Sequence, residues 1–209
     1  MNDVSFTSRI KIVSPKRFEK ITANMYKRDA EYIGSYDLDT CFGGIDFQAY
    51  RTKMKEGFTS GVRSCTSALI VAKDKQSSSF MHLFNSISNI QNLNKVKNLF
   101  NGNNCILIGG KKACTNSKEL FNAVETIAEK SEMPTTIMSD MASAFEANIA
   151  YSTKKDTLFL CVKDIFKPEN YAKTEKDLKL IFKKFKLSKE DSIIPFNPVK
   201  ETFENLFNK

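Results

Sequence analysis

Five cysteines and a single histidine set the terms of any nucleophile–base chemistry in this chain. The stretch Thr59-Ser60-Gly61-Val62-Arg63-Ser64-Cys65-Thr66 leads into the apolar run Ser67-Ala68-Leu69-Ile70-Val71-Ala72. After a polar turn from Asp74 to Ser78, a second run, Ser79-Phe80-Met81-His82-Leu83-Phe84, carries the histidine. Two adjacent antiparallel strands would set Cys65 and His82 side by side across the pair. A free thiol, with a pKa of about 8.5, is only a few per cent thiolate at neutral pH, so a base that takes its proton makes it a nucleophile. His82 is that base, and a third group must accept the proton on its other ring nitrogen. Thr59 is the best-placed orienter, through its hydroxyl or its carbonyl; Glu56 and Asp74 are the nearest carboxylate alternatives. Backbone N–H groups around Ser64, Cys65 and Thr66 would supply an oxyanion hole, in which one donor is typically worth on the order of a hundredfold in rate. On this reading Cys65 reacts with iodoacetamide ahead of the other cysteines. The competing reading makes Cys65 and His82 packed core residues of a non-enzymatic binding domain, since cysteine is among the most buried residue types.

The elements that must hold these residues alternate between strand and helix. Arg9 to Val13 reads as a strand, and Pro15 starts a short helix through Lys20. Ile45 to Tyr50 alternates as a half-buried strand, and Met54 to Thr59 leads into the central motif. Ser86 to Phe100 has a helical pattern, with Ser88 and Gln91 resembling a capping box and Gly102 closing it. Cys105 to Ile108 is a buried strand that ends at Gly109-Gly110. Thr115 to Lys130 is an amphipathic helix with Leu120, Val124 and Ile127 on its core face and Asn116 with Glu119 as its cap. Strands follow at Thr135 to Met138, Ala147 to Ser152 and Thr157 to Val162, the last two joined as a hairpin at Lys154-Lys155-Asp156. Asp177 to Phe185 reads as a basic amphipathic helix docked on the core, and Lys200 to Phe207 as a short terminal helix. The expected fold is α/β: a two-layered, largely antiparallel β core with helices packed outside. Residues 1–209 form a single catalytic domain, of which 164–209 are a helical C-terminal extension.

Composition bounds the partners. About 41% apolar residues with seventeen Phe and no Trp supply a sizeable core. The net charge of +8 comes from scattered residues, with no Arg-rich tract or nucleic-acid motif, so nucleic acid is not the expected partner. The odd cysteine count, without CxxC pairs, argues for reduced thiols rather than a disulfide framework, and one histidine supplies a zinc site poorly. No apolar run approaches the roughly 20 residues of a membrane-spanning helix. Met1-Asn2-Asp3-Val4-Ser5 lacks the layout of a signal peptide. The expected location is the cytoplasm, or a host cell reached without a classical signal peptide.

Thr59, Gly61, Ser64 and Cys65, followed by an apolar strand and then His82, resemble the active-site segment of the cysteine-dependent protein glutamine deamidases. That superfamily includes the chemoreceptor glutamine deamidases and the catalytic domains of the cytotoxic necrotizing factors. The strand end Ile106-Leu107-Ile108-Gly109-Gly110 before a helix is similar to the family's second half. The resemblance spans roughly residues 57 to 130. It departs from the receptor deamidases at Arg63, where a small residue is usual, and at Thr66. It implies a Cys65 nucleophile, a His82 base and a Thr59 orienter that convert glutamine on a partner protein to glutamate with release of ammonia, using neither metal nor organic cofactor. An amine in place of water would make the same site a transglutaminase. The departures point to a toxin- or effector-like enzyme acting on a protein substrate, a host protein among the candidates. A cysteine protease or other thiol acyl-hydrolase is the alternative enzyme class.

Overall fold

Short runs of alternating or continuously apolar residues recur through the chain and form ten strands among the described residues. The structure is a computed structural model that describes residues 9–38, 49–111, 113–138, 145–174 and 176–177. In chain order the elements are β1 (Arg9–Ile12), α1 (Pro15–Tyr26), β2 (Glu31–Tyr32), β3 (Tyr50–Met54), β4 (Glu56–Val62), β5 (Thr66–Val71) and β6 (Ser78–Leu83). Then come α2 (Ile87–Gln91), β7 (Asn104–Gly109), α3 (Thr115–Lys130), β8 (Thr135–Met138), β9 (Phe145–Ser152) and β10 (Thr157–Asp164). They build an α/β fold of two mixed five-stranded sheets. The first has the order β1-β10-β9-β4-β2 and the second β3-β6-β5-β7-β8. Five of the eight strand pairings are antiparallel, so the expected two-layered, largely antiparallel core is what the chain forms.

Three apolar layers hold the sheets and helices together. Between the sheets, Val62, Phe145, Ile149 and Leu160 of the first pack with Leu69, Phe80 and Ile106 of the second. The outer face of the second sheet, with Ala68, Ile70 and Leu107, is covered by Leu120, Phe121 and Val124 of α3. Phe18 and Met25 of α1 cover Ala150, Phe159 and Cys161 on the outer face of the first. Because side chains alternate along a strand, a strand buried on both faces reads as one apolar run, which is why β5 and β7 were visible as such. Each fully buried Leu, Ile or Phe contributes about 1.5–3 kcal/mol by its removal from water.

Several local readings are corrected. Helix α1 runs on to Tyr26, with Ser14 as its N-cap and Pro15 at its first position. The helix expected over residues 86–100 is a single short helix, α2, followed by 3₁₀ turns at Leu93–Lys95 and Lys97–Leu99. Asparagine side chains compete with the helical backbone there. Asn89 is buried and ties Leu38 N–H to its carbonyl at 2.7 Å while its amide donates to Phe84 O at 2.7 Å and Tyr36 O at 3.1 Å. Ser86, not Ser88, is the N-cap of α2, accepting from Asn89 N–H. Cys114 occupies the N-cap position of α3, so Asn116 and Glu119 lie inside that helix rather than capping it. Strands β2, β3 and β4 add to those read from the sequence, β3 sharing only Tyr50 with the strand expected at 45–50. The expected β9–β10 hairpin is present, with Ser152 opposite Thr157. Most of the strand expected at 45–50 lies outside the described residues. So do nearly all of the helix expected at 177–185, the helix at 200–207 and most of the 164–209 extension. Among the described residues no helix is long and apolar enough to cross a membrane.

Candidate active site

The site begins with a bulge in β4. Thr59 and Val62 are both fully buried toward the second sheet, although they are three positions apart. Strict alternation would turn one of them outward. The pairing of β4 with β9 shifts register between Thr59 and Val62, and the inserted residue restores the inward direction. Gly61 takes up the turn with φ +74°, a left-handed conformation that costs a side-chain-bearing residue strain. Asn148 of β9 fixes the bulge by accepting the Gly61 N–H at 2.8 Å.

From this inward position Thr59 reaches the second sheet. Its Oγ1 lies 2.6 Å from His82 Nδ1 and 2.5 Å from the carbonyl oxygen of Ile33. The hydroxyl has one proton, and a carbonyl can only accept, so that proton goes to Ile33. Thr59 Oγ1 must therefore accept from His82, which puts the imidazole proton on Nδ1 and leaves Nε2 with a bare lone pair. His82 is fully buried, and Nε2 has no hydrogen-bond partner among the described residues. Ser67 is the direct partner of His82 across the β5–β6 pair, a small side chain opposite the ring. The His82 backbone is held on both sides, its N–H donating to Ala49 O at 2.8 Å and its carbonyl accepting Tyr36 N–H at 3.4 Å.

Cys65 immediately precedes β5. Extending the register of Thr66 with Leu83 and Ser67 with His82 places Cys65 on the inner face with Ser67, one diagonal step from His82. Cys65 and His82 are thus diagonal rather than directly opposite, a relation that spans about 7–8 Å between backbones and lies within reach of long side chains. The Arg63–Cys65 turn is clamped by the end of β7. Gly110 N–H donates to Cys65 O at 3.2 Å. A Cβ at Gly110 would lie 1.9 Å from Arg63 O and 2.8 Å from Ser64 Cα, so only glycine lets the two backbones approach this closely. Cys65 is 7% exposed, bordered by exposed Arg63 and half-buried Ser64 and Ser35. Ser35 Oγ lies 3.1 Å from Cys65 Sγ.

Burial sets the protonation states. It pushes the Cys65 thiol up, while hydrogen bonds from Ser35, Ser64 and the Arg63 backbone and the Arg63 charge pull the other way. Burial also pushes His82 down to about 4. Both groups are therefore neutral at pH 7, and the site rests as a thiol and a free base on one sheet face rather than as a preformed thiolate–imidazolium pair. Cys105 and Cys161 are raised by burial as well, Cys161 to about 11. Cys114 differs. It is exposed, and although desolvation raises its thiol pKa, the hydrogen bonds of Ser117, Asn85 and Asn116 together outweigh that and lower it.

Of the residues singled out in the sequence, Thr59 and His82 are in direct contact, and Cys65 shares their face. Ser64 lies in the turn beside the sulfur. Thr66 lies within β5, and its hydroxyl is buried without a partner among the described residues. The Gly110-to-Cys65 bond makes Thr66 and Gly109 a non-hydrogen-bonded pair, which turns the Thr66 N–H toward Leu83 of β6. The alternative orienters stand elsewhere: Glu56 is engaged by Arg28 at 2.9 Å and Ser152 at 2.8 Å, and Asp74 caps its own turn at Gln76. Sequence reasoning missed Ser35, the Ile33 carbonyl, Asn148 and the clamp at Gly110. Only Gly109-Gly110 left a readable trace, as a glycine pair ending an apolar strand. Among the described residues no three His, Cys, Asp or Glu side chains cluster as a metal ion would need. The sequence matches no protein-family model and no curated protein.

Proposed function

We propose that this protein is a cysteine-dependent protein glutamine deamidase in which Cys65 is the nucleophile, His82 the general base and Thr59 the orienter. One observation carries the reading. Thr59 and His82, 23 residues apart and on different sheets, meet through a 2.6 Å hydrogen bond that leaves the imidazole's Nε2 bare on the Cys65 face. A histidine buried only for packing has no need of a tautomer fixed in this way. The resemblance of the Thr59–Cys65 segment and the following strand to the deamidase motif supports the choice of substrate among acyl compounds.

The chemistry then runs as acyl transfer. Nε2 takes the thiol proton as the sulfur attacks the carboxamide carbon, forming the C–S bond while the carbonyl π pair moves onto oxygen. We assign the developing oxyanion to backbone N–H groups of the Arg63–Cys65 turn. When the tetrahedral adduct collapses, the C–N bond breaks and His82 passes its proton to the departing nitrogen, which leaves as ammonia. Water, deprotonated by the same Nε2, attacks the thioester. Collapse of the resulting adduct expels the Cys65 sulfur, which takes the proton back from His82, and the glutamic acid formed releases its proton to solvent as the carboxylate. Because the resting pair is neutral, the proton moves as attack occurs rather than beforehand.

The test is ammonia release from a cell lysate used as the substrate mixture, comparing wild type with Cys65→Ser. The expected result is Cys65-dependent ammonia together with a shift of about one dalton in a protein of the lysate. Cys65-dependent peptide cleavage would move the site to the protease class. Equal signals from both proteins would return Cys65 and His82 to the core of a binding domain.

A further inference from the structure

The segment joining β2 to the undescribed residues after 38 carries no recognisable motif, yet it touches every member of the site. Ile33 N–H donates to Phe58 O at 2.9 Å, and its carbonyl accepts the Thr59 hydroxyl. Three residues on, the chain has crossed to the second sheet: Tyr36 bridges Leu83, and Phe84 N–H donates to Tyr36 O at 3.2 Å. Between these anchors Gly34 makes room for the Tyr36 ring, whose Cε2 would lie 2.1 Å from a Cβ there. Ser35 is therefore fastened on one side to the first sheet and on the other to the second, with its hydroxyl 3.1 Å from Cys65 Sγ.

We propose that Ser35 is a further catalytic residue, whose hydroxyl donates to Cys65 Sγ and holds the sulfur as it gives its proton to His82. The inference rests on the deamidase reading for its catalytic meaning, though not for its test. At rest either atom of the Ser35–Cys65 pair can donate, and Nε2 of His82 has no partner among the described residues. Once the thiol proton has passed to Nε2, the sulfur can only accept, and Ser35 is the donor. When the S–H bond breaks and Nε2–H forms, the negative charge left on sulfur receives the Ser35 hydrogen. A hydrogen bond to a charged acceptor is about twice as strong as one to a neutral group, so the contact strengthens as the thiolate develops. This is the property a transition-state contact requires. It also offsets part of the burial that holds the thiol up.

The experiment measures the pH dependence of Cys65 alkylation by iodoacetamide, read peptide by peptide by mass spectrometry, in the full chain. Ser35→Ala is expected to move the Cys65 midpoint upward by about one pH unit and to lower its labelling near neutral pH about tenfold. Ser35→Thr, which keeps the hydroxyl, is expected to restore most of the wild-type profile. Ser35→Gly provides a second hydroxyl-free variant if the alanine variant fails to fold. Overlapping midpoints for wild type and the hydroxyl-free variants would overturn the proposal. So would a change in rate at an unmoved midpoint, which reports access rather than ionisation. On a glutamine substrate that the wild type deamidates, Ser35→Ala is expected to lower kcat with KM little changed. Failure of the deamidase reading shows as absent Cys65-dependent ammonia, whereas failure of the Ser35 inference shows in the alkylation profile alone.

Discussion

Replacing Thr59 with valine isolates the hydrogen bond on which the site depends. Valine keeps the β-branched shape and the buried volume, so no cavity opens, and the change is confined to the hydroxyl. That hydroxyl partners two buried groups, the Ile33 carbonyl at 2.5 Å and His82 Nδ1–H at 2.6 Å. Leaving a buried donor or acceptor unpaired costs about 1–3 kcal/mol, so the two together cost about 2–6 kcal/mol. Against the roughly 5–15 kcal/mol of a typical domain this is a large loss, read as a drop of about 1–3 M in the urea midpoint at a slope near 2 kcal/mol/M. The imidazole cannot escape by moving its proton, because Nε2–H would then be buried without an acceptor. That tautomer also blocks the base, so most of the 10²–10⁴-fold that a general base typically contributes is at stake. Thr59→Val is therefore expected to lower kcat by at least about a hundredfold. Thr59→Ser keeps the hydroxyl and loses one methyl, about 1 kcal/mol, with activity within about tenfold of wild type. Urea unfolding of the three proteins beside ammonia-release kinetics decides the matter. Equal effects of valine and serine, on stability or on rate, would refute the assignment of the hydroxyl.

The sole histidine permits a direct spectroscopic test: the His82 imidazole is expected to titrate near 4 and to carry its proton on Nδ1 at pH 7, and a midpoint near 6.5 or an Nε2–H signal would contradict the geometry. Because the folded pKa lies below the unfolded 6.5, the unfolded state binds the extra proton between them, so stability is full above about pH 6.5 and falls as pH drops toward 4. The stability gap between wild type and His82→Asn should accordingly narrow by roughly 3 kcal/mol over that window, as measured by denaturant unfolding at each pH. Gly110→Ala, which drives a Cβ to 1.9 Å from Arg63 O, is expected to displace the Cys65 turn and abolish activity. Gly61→Ala meets open space and should cost only the left-handed strain of about 1–2 kcal/mol, so equal thermal stability losses would count against the clamp. With iodoacetamide at pH 7, Cys114 should label ahead of Cys65, reversing the order expected from an activated nucleophile, and peptide mapping reads that order directly.

What could be read from the sequence follows from the range of the forces involved. Strands β5, β6 and β7 and helix α3 announce themselves because their apolar periodicity is local, and Cys65, Thr59 and His82 stand out because reactive residue types are scarce here. The same locality explains the errors. The apolar spacing over residues 86–100 fits a helix until Asn89 finds carbonyl and N–H partners at Tyr36, Phe84 and Leu38, none of which the local pattern contains. Thr59 could be named an orienter, but the acceptor of its own proton is Ile33, 26 residues upstream, and without that acceptor the tautomer of His82 is undetermined. Ser35 is an ordinary serine until the crossing between sheets brings it to sulfur.

The placement of the site between two sheets has a consequence for how it works. Thr59 comes from the first sheet and His82 from the second, so on the proposed mechanism the base is oriented only while the sheets are packed as they are here. The same mechanism makes the inner layer around Phe80, Val62 and Phe145 govern the chemistry as well as the stability. A truncation such as Phe80→Ala would cost about 3–5 kcal/mol by loss of packing. Any relaxation of one sheet toward the other would also alter the 2.6 Å contact between Thr59 and His82. In a protein that remains folded, the rate should then fall further than the folded fraction does. By contrast, a truncation on the far face of the second sheet, at Val124 of α3, should reduce activity only in proportion to the protein unfolded. Ammonia release normalised to the folded fraction separates the two. If both truncations scale with unfolding alone, the sheets do not need their mutual position for catalysis, and the orienting role of Thr59 falls with that result.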